Sequence, residues 1–157
     1  METISTTNSN TESVNVLLVG NNPIDMSRVL DNLQQIKGKR ILTEIAFDLK
    51  TVLERLLHFT PTFIIIDDNL DQRELKSAIE LFSKNKKTKD IPITMLKNSN
   101  YLQGPGAPTV TDYVLKQNLT AETLYTVLKN ALKLRRTQAY LYEAYQKRKI
   151  AWMEFMQ

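Results

Sequence analysis

Five short apolar runs alternate along the chain with stretches whose apolar residues recur at helical spacing. The runs are residues 14–19, 41–46, 63–66, 91–96 and 110–115. Strands that are buried on both faces read as near-continuous apolar runs, and parallel strands need helical crossovers between them. The alternation therefore predicts an α/β fold: a doubly wound, five-stranded parallel sheet with helices on both faces.

The connections between the runs predict where the helices lie. Residues 24–36, 49–57 and 75–82 have amphipathic helical periodicity. Residues 98–109 contain two glycines and two prolines, so we expect the fourth helix to be short or missing. From Thr120 to the end there is no proline or glycine, which predicts an extended C-terminal helix of about 55 Å.

Length and composition indicate one domain with extensions. At 157 residues and 42% hydrophobic content, the chain is large enough for one real core. We expect residues 1–13 to be a disordered lead-in, residues 14–134 to form the domain and residues 135–157 to form a helical extension. The absence of cysteine excludes disulfides and thiolate chemistry. No stretch resembles a membrane span or a signal peptide, so we expect a cytoplasmic protein without membrane contact.

Polar residues follow the carboxyl ends of several predicted strands, where doubly wound folds form their binding crevice. Asp67 directly follows the third apolar run, and Lys116 follows the fifth. Lys97 follows the fourth. The pattern predicts that a carboxylate and an ammonium meet in one crevice.

Four segments together resemble the receiver domain of two-component response regulators, over residues 14–134. They are VLLVGNNP at 16–23, PTFIIID at 61–67, IPITML at 91–96 and DYVLK at 112–116. The resemblance implies the flavodoxin-like receiver fold and a histidine kinase or phosphotransfer protein as partner. It also implies a phosphoprotein that is not an enzyme acting on a separate small molecule.

The resemblance also implies roles for single residues. Asp67 falls on the phosphoacceptor, Lys116 on the lysine that contacts the phosphoryl group, and Tyr113 on the aromatic position that reports activation. Asn69 falls where a backbone carbonyl helps to hold Mg²⁺. The acidic pair that binds this metal is replaced at its second position by Asn21, a neutral and doubtful ligand.

Further departures from the family pattern change the charge of the expected site. The first acid of the pair is replaced by Gly20, and the hydroxyl residue at the end of the fourth strand is replaced by Lys97. The family's three carboxylates and one lysine sum to minus two, whereas Asp67, Lys116 and Lys97 sum to plus one. We therefore expect weak Mg²⁺ binding, and slow or absent self-catalysed phosphorylation of Asp67.

Three further residues have roles in the predicted site that the sequence leaves open. Lys97 either forms a fixed ion-paired cluster with Asp67 that imitates one signalling state, or points into solvent. Asp25 or Asp68 would be a substitute metal ligand, but we expect Asp68 to point to the other side of its strand. We therefore do not rely on either acid as a metal ligand.

The C-terminal helix has two apolar series at heptad spacing. They are Leu124, Ala131, Gln138, Tyr145, Trp152 and Val127, Leu134, Leu141, Arg148, Phe155. Its later part has no sheet to cover, which predicts a homodimer through a parallel coiled coil, or a helix leading to an output module. Residues 129–149 carry a net charge of plus six, but no DNA-binding fold accompanies them, so nucleic acid is not the expected partner.

Taken together, the residues favour a receiver-like domain in phosphorelay signal transduction, with Asp67 as candidate phosphoacceptor and impaired Mg²⁺ binding. The alternative is a phosphorylation-independent pseudo-receiver that acts as a dimerisation or adaptor module. A flavodoxin-like nucleotide binder is disfavoured because the sequence has no phosphate cradle.

Overall fold

A computed structural model describes residues 13–98 and 110–156 of the chain, and its elements alternate as the sequence predicts. In chain order they are β1 (Ser13–Val19), α1 (Pro23–Gln34), β2 (Arg40–Ala46), α2 (Leu49–Leu56), β3 (Phe63–Asp67), α3 (Gln72–Lys84), β4 (Ile93–Lys97), β5 (Val110–Leu115), a short 3-10 helix (Lys116–Asn118) and α4 (Ala121–Phe155).

The strands form one parallel sheet in the order β2-β1-β3-β4-β5. Because all strands run in the same direction, their carboxyl ends meet at one edge of the sheet. β3 lies in the centre, between β1 and β4, and all five of its residues are buried. The predicted five-stranded, doubly wound architecture is confirmed, and it places the end of β3 in the middle of the crevice.

Two apolar layers cover the two faces of the sheet. One layer joins the sheet to α1 and α4, and it includes Val16, Leu18, Phe63, Met26, Val29, Leu33, Leu124, Leu128 and Ala131. The other joins it to α2 and α3, and it includes Leu17, Ile64, Ile66, Val52, Leu56, Ala78 and Phe82. Neighbours along each strand point to opposite layers, as the two-residue period of a strand requires.

α4 has two parts with different surroundings. The proximal part, residues 121–132, buries Leu124, Val127, Leu128, Ala131 and Leu132 against the sheet. The distal part, residues 133–155, exposes large apolar side chains, among them Tyr140, Leu141, Tyr145, Ile150, Trp152 and Phe155. The 35-residue helix confirms the predicted extended C-terminal helix. Across the two described ranges, no helix is both long enough and apolar enough to cross a membrane.

Some element boundaries differ from the sequence prediction. β4 begins at Ile93 rather than at residue 91, because Pro92 has no amide hydrogen to donate to a strand ladder. The segment in which a short or missing fourth helix is expected lies, over residues 99–109, outside the described residues. Residues 1–12 of the expected lead-in also lie outside them.

Candidate functional site

Asp67 and Lys116 meet at the carboxyl edge of the sheet. Asp67 is the last residue of β3, and its side chain is fully buried. Lys116 follows β5 as the first residue of the 3-10 helix, and its side chain is 9% exposed. The Lys116 Nζ atom lies 2.6 Å from Asp67 Oδ1. The structure therefore brings together the carboxylate and the ammonium that the sequence places on separate strands.

Helix α1 contacts Lys116 at two points. Asn22 caps the helix by accepting hydrogen bonds from the backbone amides of Ile24 and Asp25. In the first turn, Asp25 Oδ2 lies 3.0 Å from Lys116 Nζ. One turn further on, Arg28 Nη2 donates to the backbone oxygen of Lys116 at 3.2 Å. Residues three apart share one face of a helix, so α1 holds both the ammonium and the backbone of Lys116.

Asp68 also faces the site, contrary to the expectation that it points away. Its Oδ1 atom lies 4.0 Å from Lys116 Nζ and accepts a hydrogen bond from Asn98 Nδ2, and its Oδ2 atom accepts one from the Asn98 backbone amide. The expectation was wrong because β3 ends at Asp67, where the chain turns and strand alternation no longer applies. Asn69 lies on the same turn and donates its backbone amide to Asp67 Oδ1 at 2.9 Å.

The charge of the site differs from the predicted plus one. Three carboxylates, those of Asp25, Asp67 and Asp68, surround the single ammonium of Lys116, so the cluster carries minus two, the same charge as the family pattern. The charge of the site therefore does not account for weak Mg²⁺ binding, contrary to the sequence prediction. Burial by itself lowers the pKa of Lys116, but hydrogen bonds to Asp67 and Asp25, with their negative charges, outweigh burial and raise that pKa. Lys116 therefore stays charged in the folded protein.

Lys97 does not take part in this cluster. Its Nζ atom lies 4.7 Å from the centroid of the Tyr113 ring, and Tyr113 is 41% exposed. Among the described residues, the ammonium within ion-pair distance of Asp67 is that of Lys116 and not that of Lys97. A half-exposed ring lets the ammonium of Lys97 keep most of its hydration, whereas a place beside Asp67 would bury it. The structure thus pairs two predicted site residues, Lys97 and Tyr113, with each other.

The residues at the carboxyl end of β1 do not fit the Mg²⁺ site of the family. Gly20 is buried, and a Cβ atom built on it would lie 2.5 Å from Cε and 2.7 Å from Sδ of Met26. The same Cβ would lie 3.0 Å from Asp67 Cβ, so the thioether fills space beside the acceptor position. Mg²⁺ requires oxygen ligands, which neither Gly20 nor Met26 has in its side chain, and Asn21 is exposed.

Within residues 13–98 and 110–156, no three acidic or histidine side chains are grouped so that they could hold a metal ion. Asp25 and Asp67 instead share the ammonium of Lys116. Asp67 Oδ2 is buried and has no hydrogen-bond partner among the described residues.

A groove of about 700 Å³ lies beside this edge, between β5 and α4. Its lining includes Lys97, Tyr113, Thr123, Val127 and Asn130. The groove connects the Lys97–Tyr113 pair with the proximal part of α4. The groove is open, and most of its exposed lining surface is apolar.

No family model matches the chain, and no curated protein matches it. Solved structures do match. The signal receiver domain of an HD domain-containing protein from Pseudomonas fluorescens Pf-5 is 16% identical, with a TM-score of 0.67 over 80% of this chain and 98% of that one. The chemotaxis response regulator CheY4 of Vibrio cholerae is 22% identical, with a TM-score of 0.63 over 76% and 98%.

A third similar structure is the receiver domain of the sensor histidine kinase PA1611 from Pseudomonas aeruginosa PAO1, which was solved with a magnesium ion coordinated in its active-site cleft. It is 18% identical, with a TM-score of 0.64 over 77% of this chain and 98% of that one. The fold of this chain is therefore that of a response-regulator receiver domain, as the sequence resemblance predicts.

The sequence did not indicate that Asp25 pairs with Lys116 or that Met26 lies beside Gly20. It offers Asp25 only as a substitute metal ligand. One signal pointed to Asp25: it lies in the first helical turn after the end of β1, which brings it to the same edge as Asp67. No sequence pattern indicates that Met26 turns its thioether toward Gly20.

Proposed function

We propose that the chain is a receiver-like signalling module of phosphorelay signal transduction in which metal-dependent phosphorylation of Asp67 is slow or absent. The contact of 2.6 Å between Lys116 Nζ and Asp67 Oδ1, at the edge where receiver domains have their active site, carries the proposal. Asp67 keeps the phosphoacceptor position, and Lys116 keeps the position of its phosphoryl-contacting partner.

The impairment follows from the residues that surround Asp67. The receiver domain of PA1611 holds Mg²⁺ in its active-site cleft. In this chain, Gly20 supplies no carboxylate, and the Met26 thioether fills the adjoining space. Phosphoryl transfer has little covalent assistance from protein groups and depends on positioning and on cations that offset the developing charge. Without the metal, Lys116 alone performs this task.

The module would act through contacts with other proteins rather than as an enzyme on a separate substrate. A histidine kinase or phosphotransfer protein is the upstream partner that the receiver fold suggests. The groove beside Tyr113 and the exposed distal part of α4 are the surfaces available for downstream contacts. We expect it to work in the cytoplasm.

A second candidate function is a phosphorylation-independent pseudo-receiver that acts as a dimerisation or adaptor module. The exposed Leu141, Tyr145, Trp152 and Phe155 favour it, because such side chains on a helix that leaves the domain indicate an unfilled protein interface. The heptad spacing suggests a second copy of the chain as partner. The basic residues of the distal part then form its solvated flank, and nucleic acid is not the favoured ligand.

Intact-mass measurement after incubation with acetyl phosphate tests the proposal. The wild-type protein, with and without Mg²⁺, is compared with Asp67→Asn. We expect little or no phosphoryl adduct, and no increase when Mg²⁺ is added. A Mg²⁺-dependent adduct that disappears in Asp67→Asn would show an ordinary receiver site. A complete lack of adduct would favour the pseudo-receiver.

A further inference from the structure

We propose that Asp25 is a positioning residue that keeps the Lys116 ammonium beside Asp67, as the cation of a site that does not use a divalent metal. The inference deepens the proposed function and rests on its premise that Asp67 does not use Mg²⁺. It assigns a role to a residue on α1, outside the strand ends from which the family builds its site.

The contacts of α1 are the first step of the argument. Asp25 pairs with the Lys116 ammonium at 3.0 Å, and Arg28 donates to the Lys116 backbone oxygen at 3.2 Å. Both contacts bridge residues about ninety positions apart in the chain. The helix thus contacts both the ammonium and the backbone of Lys116. Without these contacts, the long and flexible lysine side chain would sample many rotamers.

Charge compensation is the second step. A fully buried carboxylate such as Asp67 is strongly destabilising unless it is paired and hydrogen-bonded. Its Oδ1 atom receives both the Lys116 ammonium and the Asn69 amide, whereas its Oδ2 atom has no hydrogen-bond partner among the described residues. Asp25 supplies the second negative charge that makes it favourable for the ammonium to stay in a nearly dry position.

The space beside Asp67 is the third step. The Met26 thioether lies where a side chain on Gly20 would begin, so the position is filled by apolar atoms from the residue next to Asp25. Adjacent residues of α1 therefore serve complementary purposes. Met26 closes the side that faces Gly20, and Asp25 holds the ammonium that offsets the charge of Asp67.

Thermal unfolding of Asp25→Asn in two backgrounds tests this inference. In the wild-type chain, we expect Asp25→Asn to lower the Tm by about 3 to 8 °C, because one charge-assisted contact of a buried ammonium is lost. In the Lys116→Met background the sign should reverse. Asp25 and Asp67 then repel each other without a cation between them, so that removing one charge raises the Tm.

Matched variants and Mg²⁺ complete the test. Asp31→Asn removes an exposed carboxylate from the same helix and should have the same small effect in both backgrounds. Lys116→Arg keeps the positive charge, and Asp25→Asn should remain destabilising in it. A ligand that binds only the folded state raises the Tm. Because we infer that the site does not use Mg²⁺, millimolar Mg²⁺ should leave the Tm of the wild-type protein unchanged.

Several results would overturn the inference. They are equal effects of Asp25→Asn and Asp31→Asn, an unchanged sign in Lys116→Met, or a rise of several degrees in wild-type Tm with Mg²⁺. If Lys116→Met does not fold, two comparisons in the wild-type chain still test the inference. They are Asp25→Asn against Asp31→Asn, and the Tm with and without Mg²⁺. Failure of either comparison of variants would leave the proposed function intact, because the phosphoryl adduct on Asp67 is measured separately. A rise in Tm with Mg²⁺ would also remove the premise that the site does not use the metal.

Discussion

The Asp67 pocket and the distal part of α4 depart from the usual distribution of side chains in opposite ways. The pocket buries charge: Asp67 is fully buried, and the Lys116 side chain is 9% exposed. The distal part exposes apolar surface: Trp152 is 63% and Phe155 is 84% exposed. Charged residues are seldom buried without a partner, and clustered exposed apolar side chains mark interaction surfaces.

The comparison shows where each region obtains its stabilising partner. In the pocket, Asp67 and Asp25 both pair with the ammonium of Lys116, so these contacts lie within the domain. The apolar side chains of the distal part are exposed among the described residues, and a second copy of the chain is the partner proposed to cover them. The charged residues of the pocket thus contact one another within the domain, whereas the apolar side chains of the distal part of α4 are exposed to solvent.

The largest expected effect comes from removing the internal partner of the pocket. Lys116→Met leaves Asp67 buried without a counterion, which should cost about 3 to 5 kcal/mol of unfolding free energy. Urea denaturation measures this loss. Lys133→Met removes an exposed lysine from the distal part and should stay within about 0.5 kcal/mol of wild type. Equal losses for the two variants would remove the contrast between the regions.

A second test compares two leucines of α4. Leu128→Ala, in the proximal part, removes a side chain that is 1% exposed and should destabilise by about 2 to 5 kcal/mol. Leu141→Ala, in the distal part, removes one that is 59% exposed and should cost less than about 0.5 kcal/mol at low protein concentration. A large loss for Leu141→Ala under those conditions would mean that the distal part packs on its own domain.

The pH dependence of stability sharpens the account of the pocket. Because the folded state raises the pKa of Lys116, its contribution is fully present below the unfolded pKa of about 10.4 and is lost as pH rises through the higher folded value. Unfolding free energies should therefore fall above about pH 10 by more in wild type than in Lys116→Met. Parallel alkaline profiles for the two proteins would contradict the raised pKa.

The smallest effect on the stability of the single chain, but a clear effect on assembly, is expected from the distal part. The double variant Tyr145→Glu and Trp152→Glu places charges in the predicted dimer seam and should shift the protein toward monomer in sedimentation equilibrium. Tyr140→Glu is the matched control, because Tyr140 is 70% exposed and lies outside both heptad series. Wild-type protein that stays monomeric at high concentration would contradict the homodimer.

The fold could be predicted from the sequence because each element leaves a periodic signal. The continuous apolar residues 63–66 identify β3, and the run free of proline and glycine after Thr120 identifies α4. Boundaries were less accessible. α3 begins at Gln72, three residues before the apolar period starts at Leu75. The residues of this first stretch are polar, so they add nothing to the apolar pattern from which the helix was predicted.

The site could be predicted only in part. Asp67 and Lys116 stand at strand ends, where topology fixes their meeting. The positions of Asp25, Asp68 and Lys97 depend on rotamers, on the turn after β3 and on competition between a ring and a buried acid for one ammonium. A sequence gives residue types, but the balance among such contacts is set by three-dimensional packing. For this reason the sequence predicted a site charge of plus one, whereas the structure shows a cluster with a charge of minus two.

The contact between Gly20 and Met26 defines what an acid at position 20 would require of its surroundings. A Cβ atom at position 20 would lie 2.5 Å from Cε and 2.7 Å from Sδ of Met26, so the thioether must move to admit a side chain there. Both atoms stand at the far end of a flexible side chain, so a change of the Met26 rotamer makes the room. A single substitution at position 20 therefore tests how far this neighbour controls access to Asp67.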